Sequence, residues 1–302
     1  MDKKVLLKFV IAAGIIMSAS VVGFAWQHHE GAGQEAAVQE ASEPEPGVES
    51  DAYILARGDY SNLVTDLKDV DNPVYDRYTL KQRQDKGLPT MLPQLEHYTS
   101  EKVAYLTFDD GPDNKNTPAI LDILKANGIH ATFYVTGKMS QENPAVLKRI
   151  FNEGHAIGNH SYDHDYKRLY KSKENFLADM QQSEEVIFNV LGVRPLIIRA
   201  PGGTVGMFGN DFYEAVNLAG YVPHDWNVSS EDATPKRPNA ARQVQFVDSM
   251  TKGNLKDNMA LVLMHSCGGK EQTVKALQGI INTLKAKGYR FGVVTPITPQ
   301  PW

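Results

Sequence analysis

One cysteine, Cys267, among 302 residues excludes an intramolecular disulfide, so stability must come from burial, which a fold of this size can supply. The same scarcity leaves no cysteine near the N-terminus to carry a lipid. Basic residues are also in deficit: 31 Lys and Arg against 36 Asp and Glu give no cationic surplus with which to hold nucleic acid. The deficit is unevenly spread. Residues 1–50 carry seven acids against three lysines, so −4 of the chain's −5 falls there and −1 on everything after. No internal repeat of fixed period is visible.

What is present begins with a leader. Lys3, Lys4 and Lys8 precede an uncharged stretch from Phe9 to Trp26, the form of a signal sequence or of a marginal membrane anchor. Gly23-Phe24-Ala25 has small residues at the spacing a signal peptidase reads, while the run is nearly long enough to span a membrane. Both readings of residues 1–26 stay open, and both imply an extracytoplasmic protein, secreted or membrane-anchored. Residues 27–51 hold Glu, Ala, Gly and Pro with hardly an aromatic and are expected to be a flexible linker. Residues 52–100 scatter Tyr53, Tyr60, Tyr75 and Tyr78 among charges, an N-terminal extension of short helices or a strap packed on a main domain at 101–298. Arg57-Gly58-Asp59 is read as a chance triplet.

From residue 103 onward, strand-like and helix-period segments alternate. Helices are expected at 118–127, 143–152, 173–191, 211–218, 240–250 and 271–287. Strands are expected at 103–108, 131–135, 155–158, 196–199, 221–228, 260–264 and 290–294. Strands this apolar, each followed by a helix, argue an α/β fold with a parallel sheet covered by helices. About seven of them suggest an incomplete barrel, whose chemistry belongs where strands end and loops begin.

The polar candidates gather at those ends. Val103-Ala104-Tyr105-Leu106-Thr107-Phe108 runs into Asp109-Asp110-Gly111-Pro112, a strand stopped by a turn, since Pro112 has no N–H for a ladder. Neighbouring strand residues point to opposite faces, so Asp109 and Asp110 are expected to diverge unless the chain turns between them, one suited to a metal and one to a proton. A plain strand-end turn is the competing reading. His160-Ser161-Tyr162-Asp163-His164 sets two imidazoles four apart, the spacing of one helical turn. With Asp110 they make a two-His, one-carboxylate set that leaves positions open for water and substrate; two surface histidines are the alternative. In Arg199-Ala200-Pro201-Gly202-Gly203 the guanidinium could hold Asp109, and the Gly-rich turn exposes N–H groups to an oxyanion. A surface Arg before a tight turn is the alternative there. His265 ends the apolar run Leu261-Val262-Leu263-Met264, as a general acid or as a satisfied structural histidine.

Taken in order, Thr107-Phe108-Asp109-Asp110-Gly111-Pro112, the His160 and His164 pair, Arg199-x-Pro201-x-Gly203 and Leu261-x-Leu263-x-His265 make residues 100–296 resemble the polysaccharide deacetylases, the NodB-homology proteins of carbohydrate esterase family four. The resemblance implies a distorted (β/α)7-type barrel. It implies that Asp109 is the catalytic base, that Asp110, His160 and His164 bind the metal, that Arg199 steadies Asp109 and that His265 is the acid. The family's fourth motif is normally Asp-Trp; aligned through the preceding strand, Asp232-Ala233 falls there, so Asp232 is expected to buttress His265 and the Trp is missing. The literal Asp225-Trp226 pair is the alternative, with Trp226 otherwise expected in the core. Gly202 stands where many members have Tyr, a change that keeps the backbone N–H for the oxyanion. With two aromatic walls absent, the groove is expected to be more open or lined by residues outside the motifs.

The implied reaction is hydrolysis of N-acetyl groups on an amino-sugar polymer: peptidoglycan, poly-N-acetylglucosamine or chitin. The implied cofactor is a divalent metal, zinc, with cobalt or another transition metal as alternatives. The partners expected are the polysaccharide substrate and, if the leader is uncleaved, the membrane. An O-deacetylase of the acetylxylan type and a catalytically silent wall-binding protein on the same fold are the rival readings. Cys267, two residues past His265, is read as a free buried thiol, with modulation by oxidation as the alternative. Asn227-Val228-Ser229 matches a glycosylation acceptor but falls on an expected strand. His130, His155 and His224 are assigned to packing.

Overall fold

The computed structural model describes residues 53–55, 60 and 72–301. The expected signal or anchor, the linker and Arg57-Gly58-Asp59 lie outside them. Among the described residues no helix is long and apolar enough to cross a membrane.

The chain opens with β1 (Tyr53–Leu55), β2 (Val74–Asp76) and α1 (Leu80–Asp85). β3 (Val103–Asp109) is buried at every position and is followed by α2 (Asn116–Asn127), β4 (Thr132–Val135), α3 (Gly137–Glu142), α4 (Pro144–Asn152) and β5 (Ala156–Asn159). Next come α5 (Tyr166–Leu169), α6 (Lys173–Leu191), β6 (Arg194–Pro195), β7 (Ile197–Ile198), α7 (Asn210–Leu218), β8 (Val222–Pro223) and β9 (Val228–Ser229). The chain continues through α8 (Ala240–Met250), β10 (Met259–His265), α9 (Glu271–Ala286) and β11 (Arg290–Gly292). Local chemistry sets the helix ends. For α6, the Ser172 hydroxyl accepts the N–H of Asn175 at the start, and Gly192 at φ 73 takes the left-handed position that stops it.

Seven strands run β8-β7-β5-β4-β3-β10-β9, all in parallel register. β10 pairs with the full length of β3, so β11 and β4 divide its other edge, β11 beside Val103–Tyr105 and β4 beside Thr107–Asp109. The curled sheet is the distorted (β/α)7-type barrel expected from the sequence. Its two-residue period is visible in the packing. Ala104, Leu106 and Phe108 of β3 and Ala260, Val262 and Met264 of β10 join Ile120, Leu124, Leu277 and Ile280 of the helices. Val103, Tyr105, Met259 and Leu261 instead join Tyr134, Ile197 and Val294, a cluster with no helix in it, which is the barrel interior. The interior row of β3 therefore continues as Thr107 and Asp109, and that of β10 ends in His265, directly opposite Asp109 in the register.

One expectation needs correction here. The single strand expected at Tyr221–Val228 is two short strands, β8 and β9, on opposite edges of the sheet. Residues 224–227 cross the open side, because the Asn227 side chain replaces ladder bonds, donating to Met259 O at 2.9 Å and accepting Leu261 N–H at 2.9 Å. That use of the amide also occupies the Asn227 acceptor triplet. The strand expected at Leu196–Arg199 is present as β7 in the barrel; just before it, β6 leaves the barrel and pairs antiparallel with β2.

Through that pairing the extension becomes part of the fold. Asp76, fully buried, faces Arg83 and Arg194, equally buried, while Arg194 Nε donates to Glu184 at 2.7 Å. Tyr60 adds a phenol to Asp76 at 2.6 Å. Charges this deep are tolerated only when paired, so residues 72–100, with one strand and one helix, are held by a buried ionic network.

Candidate active site

β3 delivers Asp109, 3% exposed, to the barrel mouth. Arg199, just past β7 and fully buried, lies against it and makes four hydrogen bonds. Its Nη1 donates to Asp109 Oδ1 at 2.8 Å and Thr107 Oγ1 at 2.7 Å, its Nε to His224 O at 2.9 Å and its Nη2 to Asp225 O at 3.0 Å. The Tyr134 ring covers the guanidinium, whose Cζ lies 4.1 Å from the ring centroid. Arg199 and Asp109 form a fixed pair, consistent with the sequence expectation.

Asp109 and Asp110 do not diverge. The chain turns at Asp110, whose φ is 70, and both carboxylates approach one imidazole: His160 Nε2 is 3.7 Å from Asp109 Oδ2 and 3.5 Å from Asp110 Oδ1. His164 Nε2 also lies 3.5 Å from Asp110 Oδ1. The two histidines, however, are not on a helical turn. Ser161 and His164 have positive φ, 73 and 64, and side chains organise the loop. Asn159 Oδ1 accepts Ser161 N–H, Ser161 Oγ accepts His164 N–H, and Asp179 Oδ1 accepts Tyr162 N–H.

Three facts fit a cation among Asp110, His160 and His164. Their ligand atoms all lie within 4.8 Å of one another. Asp110 Oδ1 is buried with no hydrogen-bond partner, an expensive state for an anion that a cation would relieve. The His160 Nδ1 is 2.7 Å from Arg199 O, so the proton belongs on Nδ1 and Nε2 is left as a lone pair facing Asp110. Protonation states agree. Burial would raise the Asp110 carboxyl, but the His160, His265 and His164 imidazoles bring it below its ordinary value. Burial and the neighbouring His160 push the His164 imidazole down. An ionised carboxylate at Asp110 and an uncharged imidazole at His164 are what a divalent ion requires there.

Across the mouth, His265 Nδ1 lies 2.7 Å from Asp232 Oδ1, and Asp232 Oδ2 accepts the His265 N–H at 2.9 Å and the Thr273 hydroxyl at 2.7 Å. Asp225, the other candidate for this place, spends its carboxylate on Thr204, accepting its N–H at 2.8 Å and its hydroxyl at 2.5 Å. Trp226 packs against the interior cluster. Gly202, at φ 78, belongs to the turn that Asp225 secures, and its N–H donates to no group among the described residues. Cys267 Sγ approaches Asp110 Oδ2 at 3.8 Å; burial first and that carboxylate second push its thiol up to about 12, which makes it unreactive as a nucleophile.

The motifs did not name Tyr166. Its phenol end fills the space beside Gly202, and its ring centroid is 5.1 Å from that of His164, so the groove is not simply opened by the missing side chain at 202. Position two after His164 was the only local signal, and it says nothing of the contact with a loop 36 residues on.

A model of the polysaccharide deacetylase family matches residues 96–224. A peptidoglycan-N-acetylglucosamine deacetylase of Bacillus cereus is 35% identical over 191 residues, covering 63% of this chain and 68% of the relative. A second from the same organism is 34% identical over 211 residues, covering 69% and 94%. The crystal structure of the catalytic domain of peptidoglycan N-acetylglucosamine deacetylase from Eubacterium rectale superposes with a TM-score of 0.61 at 33% identity, covering 69% of this chain and 95% of that one. Motif order, curled parallel sheet and these likenesses agree: the chain belongs to the polysaccharide deacetylase family, the NodB-homology proteins of carbohydrate esterase family four.

Proposed function

We propose that this protein hydrolyses the N-acetyl groups of an amino-sugar polymer of the bacterial wall, with peptidoglycan as the substrate that the two Bacillus cereus relatives favour. The carrying observation is the unpartnered Asp110 Oδ1 between two imidazoles, beside an Asp109 already clamped by Arg199.

Asp110, His160 and His164 are the residues that would hold a divalent cation, zinc on this nitrogen-rich donor set or cobalt in its place, and such an ion supplies Lewis acidity and an acidified water. Asp109 accepts the proton of the attacking water, and Arg199 fixes the carboxylate so that only one oxygen is free for that task. The new C–O bond turns the acetyl carbonyl into an oxyanion, to which the Gly202 N–H donates. His265 passes its Nε2 proton to the sugar nitrogen as the C–N bond breaks, releasing acetate and a free amine. Asp232 keeps the other ring proton on Nδ1 and favours the imidazolium that the step requires.

The setting we propose is the outer face of the membrane or the wall, because residues 1–26 have the form of a signal or anchor and residues 27–51 that of a tether; protease accessibility of the full chain on intact cells tests it. The activity is tested by acetate release from peptidoglycan, N-acetylglucosamine oligomers and acetylated xylan, with zinc restored to chelated protein. Asp109→Asn and His265→Ala should each lose about 10²- to 10⁴-fold. Equal turnover by those variants, or release from xylan alone, contradicts the reading.

A further inference from the structure

Gly202 has no side chain, and the space beside its α-carbon is taken. A Cβ there would lie 3.0 Å from both Cε1 and the phenolic oxygen of Tyr166 and 3.4 Å from its Cζ. The same ring meets His164 in a T-shaped contact, with centroids 5.1 Å apart and planes at 75°. Tyr166 thus bridges a proposed metal ligand and the loop bearing the proposed oxyanion donor, yet it is 42% exposed. Its hydroxyl bonds to no group among the described residues.

The ring is also held in place before any ligand arrives. Asp165 caps α5 by accepting the N–H of Lys167 at 3.1 Å and of Arg168 at 3.4 Å, and Leu169 on the same turn is fully buried. Tyr170, whose ring centroid is 6.0 Å from that of Tyr166, donates its hydroxyl to Pro201 O at 2.6 Å. It also stacks toward Phe176 of the core at 6.0 Å. The turn that carries Tyr166 and the loop that carries Gly202 are therefore tied to each other. An exposed aromatic fixed in this way has little freedom left to lose on binding. A fixed aromatic face beside a polar centre is the lining that receives the apolar side of a ligand of mixed polarity.

We propose that Tyr166 is the glycan-binding wall of this site: its ring receives the apolar face of the acetylated pyranose, in the space that a side chain at position 202 would otherwise occupy. The inference rests on the deacetylase reading and deepens it, assigning substrate contact to a residue outside the motifs.

Kinetics on the N-acetylglucosamine tetramer with zinc-loaded protein test it, together with calorimetric binding of the tetramer to chelated protein, where nothing turns over. Tyr166→Ala and Tyr166→Leu should raise KM and Kd roughly two- to tenfold, with the loss falling on KM rather than kcat and with zinc content retained. Tyr166→Phe, which keeps the ring, should stay within about twofold of wild type. Leu preserves the apolar cover over His164 and Gly202 without a flat face, so wild-type KM and Kd in Tyr166→Leu overturn the proposal. Loss of zinc from the Leu and Ala variants overturns it too, since Tyr166 is then a prop for His164. Wild-type protein that releases no acetate from any amino-sugar polymer overturns the deacetylase reading itself, and the wall with it.

Discussion

Asp232 grips His265 at two points, through the ring Nδ1 at 2.7 Å and the backbone N–H at 2.9 Å. Burial alone would lower the His265 imidazole, but the hydrogen bond and charge of Asp232, followed by the charges of Asp109 and Asp110, leave it raised above its ordinary value. A general acid must be protonated to act, so this raised value extends activity toward higher pH. Asp232→Asn removes the largest raising contribution and keeps the burial. The alkaline limb of kcat/KM should therefore move to lower pH, with turnover at neutral pH reduced. An alkaline limb at the wild-type position would show that His265 does not set it.

Arg199 offers a second prediction, because its bonds diverge to Asp109, Thr107 and two backbone carbonyls. A lysine has one nitrogen centre and cannot reproduce that fork. Arg199→Lys should lower kcat at least about tenfold without rescue by added metal, and Arg199→Ala should cost about 3–5 kcal/mol in denaturant unfolding, since it strands a buried carboxylate. Wild-type kcat in Arg199→Lys would reduce the guanidinium to a point charge.

Acid should destabilise the barrel through histidines outside the site. Burial, with His130 and Arg149 adding to it, pushes His155 down to about 3, and burial pushes His224 down to about 4. Unfolded histidines titrate near about 6.5, so below that pH the unfolded chain takes up protons that the folded one refuses. The stability is complete above about 6.5 and drains as pH falls toward the two folded values. His155 Nδ1 accepts the Ala131 N–H at 3.1 Å, a bond that the Oδ1 of asparagine can replace. His155→Asn should melt lower at pH 7, having lost the ring contact with Phe133, yet show a flatter fall of Tm between pH 6.5 and 4. Parallel Tm curves would remove His155 from the account.

How much of this is legible in the chain depends on how local each cause is. The helix Lys173–Leu191 reads directly because Ser172 and Gly192 mark its ends. The curled parallel sheet follows from apolar runs alternating with helices, and Asp109, Asp110, Arg199 and His265 attract notice because each closes or follows such a run. The rest depends on partners far away in sequence. Nothing local shows that residues 221–228 split between two sheet edges, since the Asn227 amide meets β10 more than 30 positions later. The turn at Asp110 and the loop from His160 to His164 are set by φ values and side-chain bonds that a spacing of four cannot distinguish from a helix. α3 and α5, of six and four residues, are too short for a helical period. Tyr166 acquires its place only by packing against Gly202.

The central claim is that Asp110, His160 and His164 converge on a single divalent ion that the deacetylation needs. Titration of zinc into chelated protein, followed by calorimetry and by acetate release in the same sample, tests it most directly. Wild-type protein should take up one equivalent and regain activity in proportion, while Asp110→Asn and His160→Ala should bind at least about tenfold more weakly and remain inactive. Full acetate release from chelated protein, or zinc binding by His160→Ala as tight as wild type, would contradict the account.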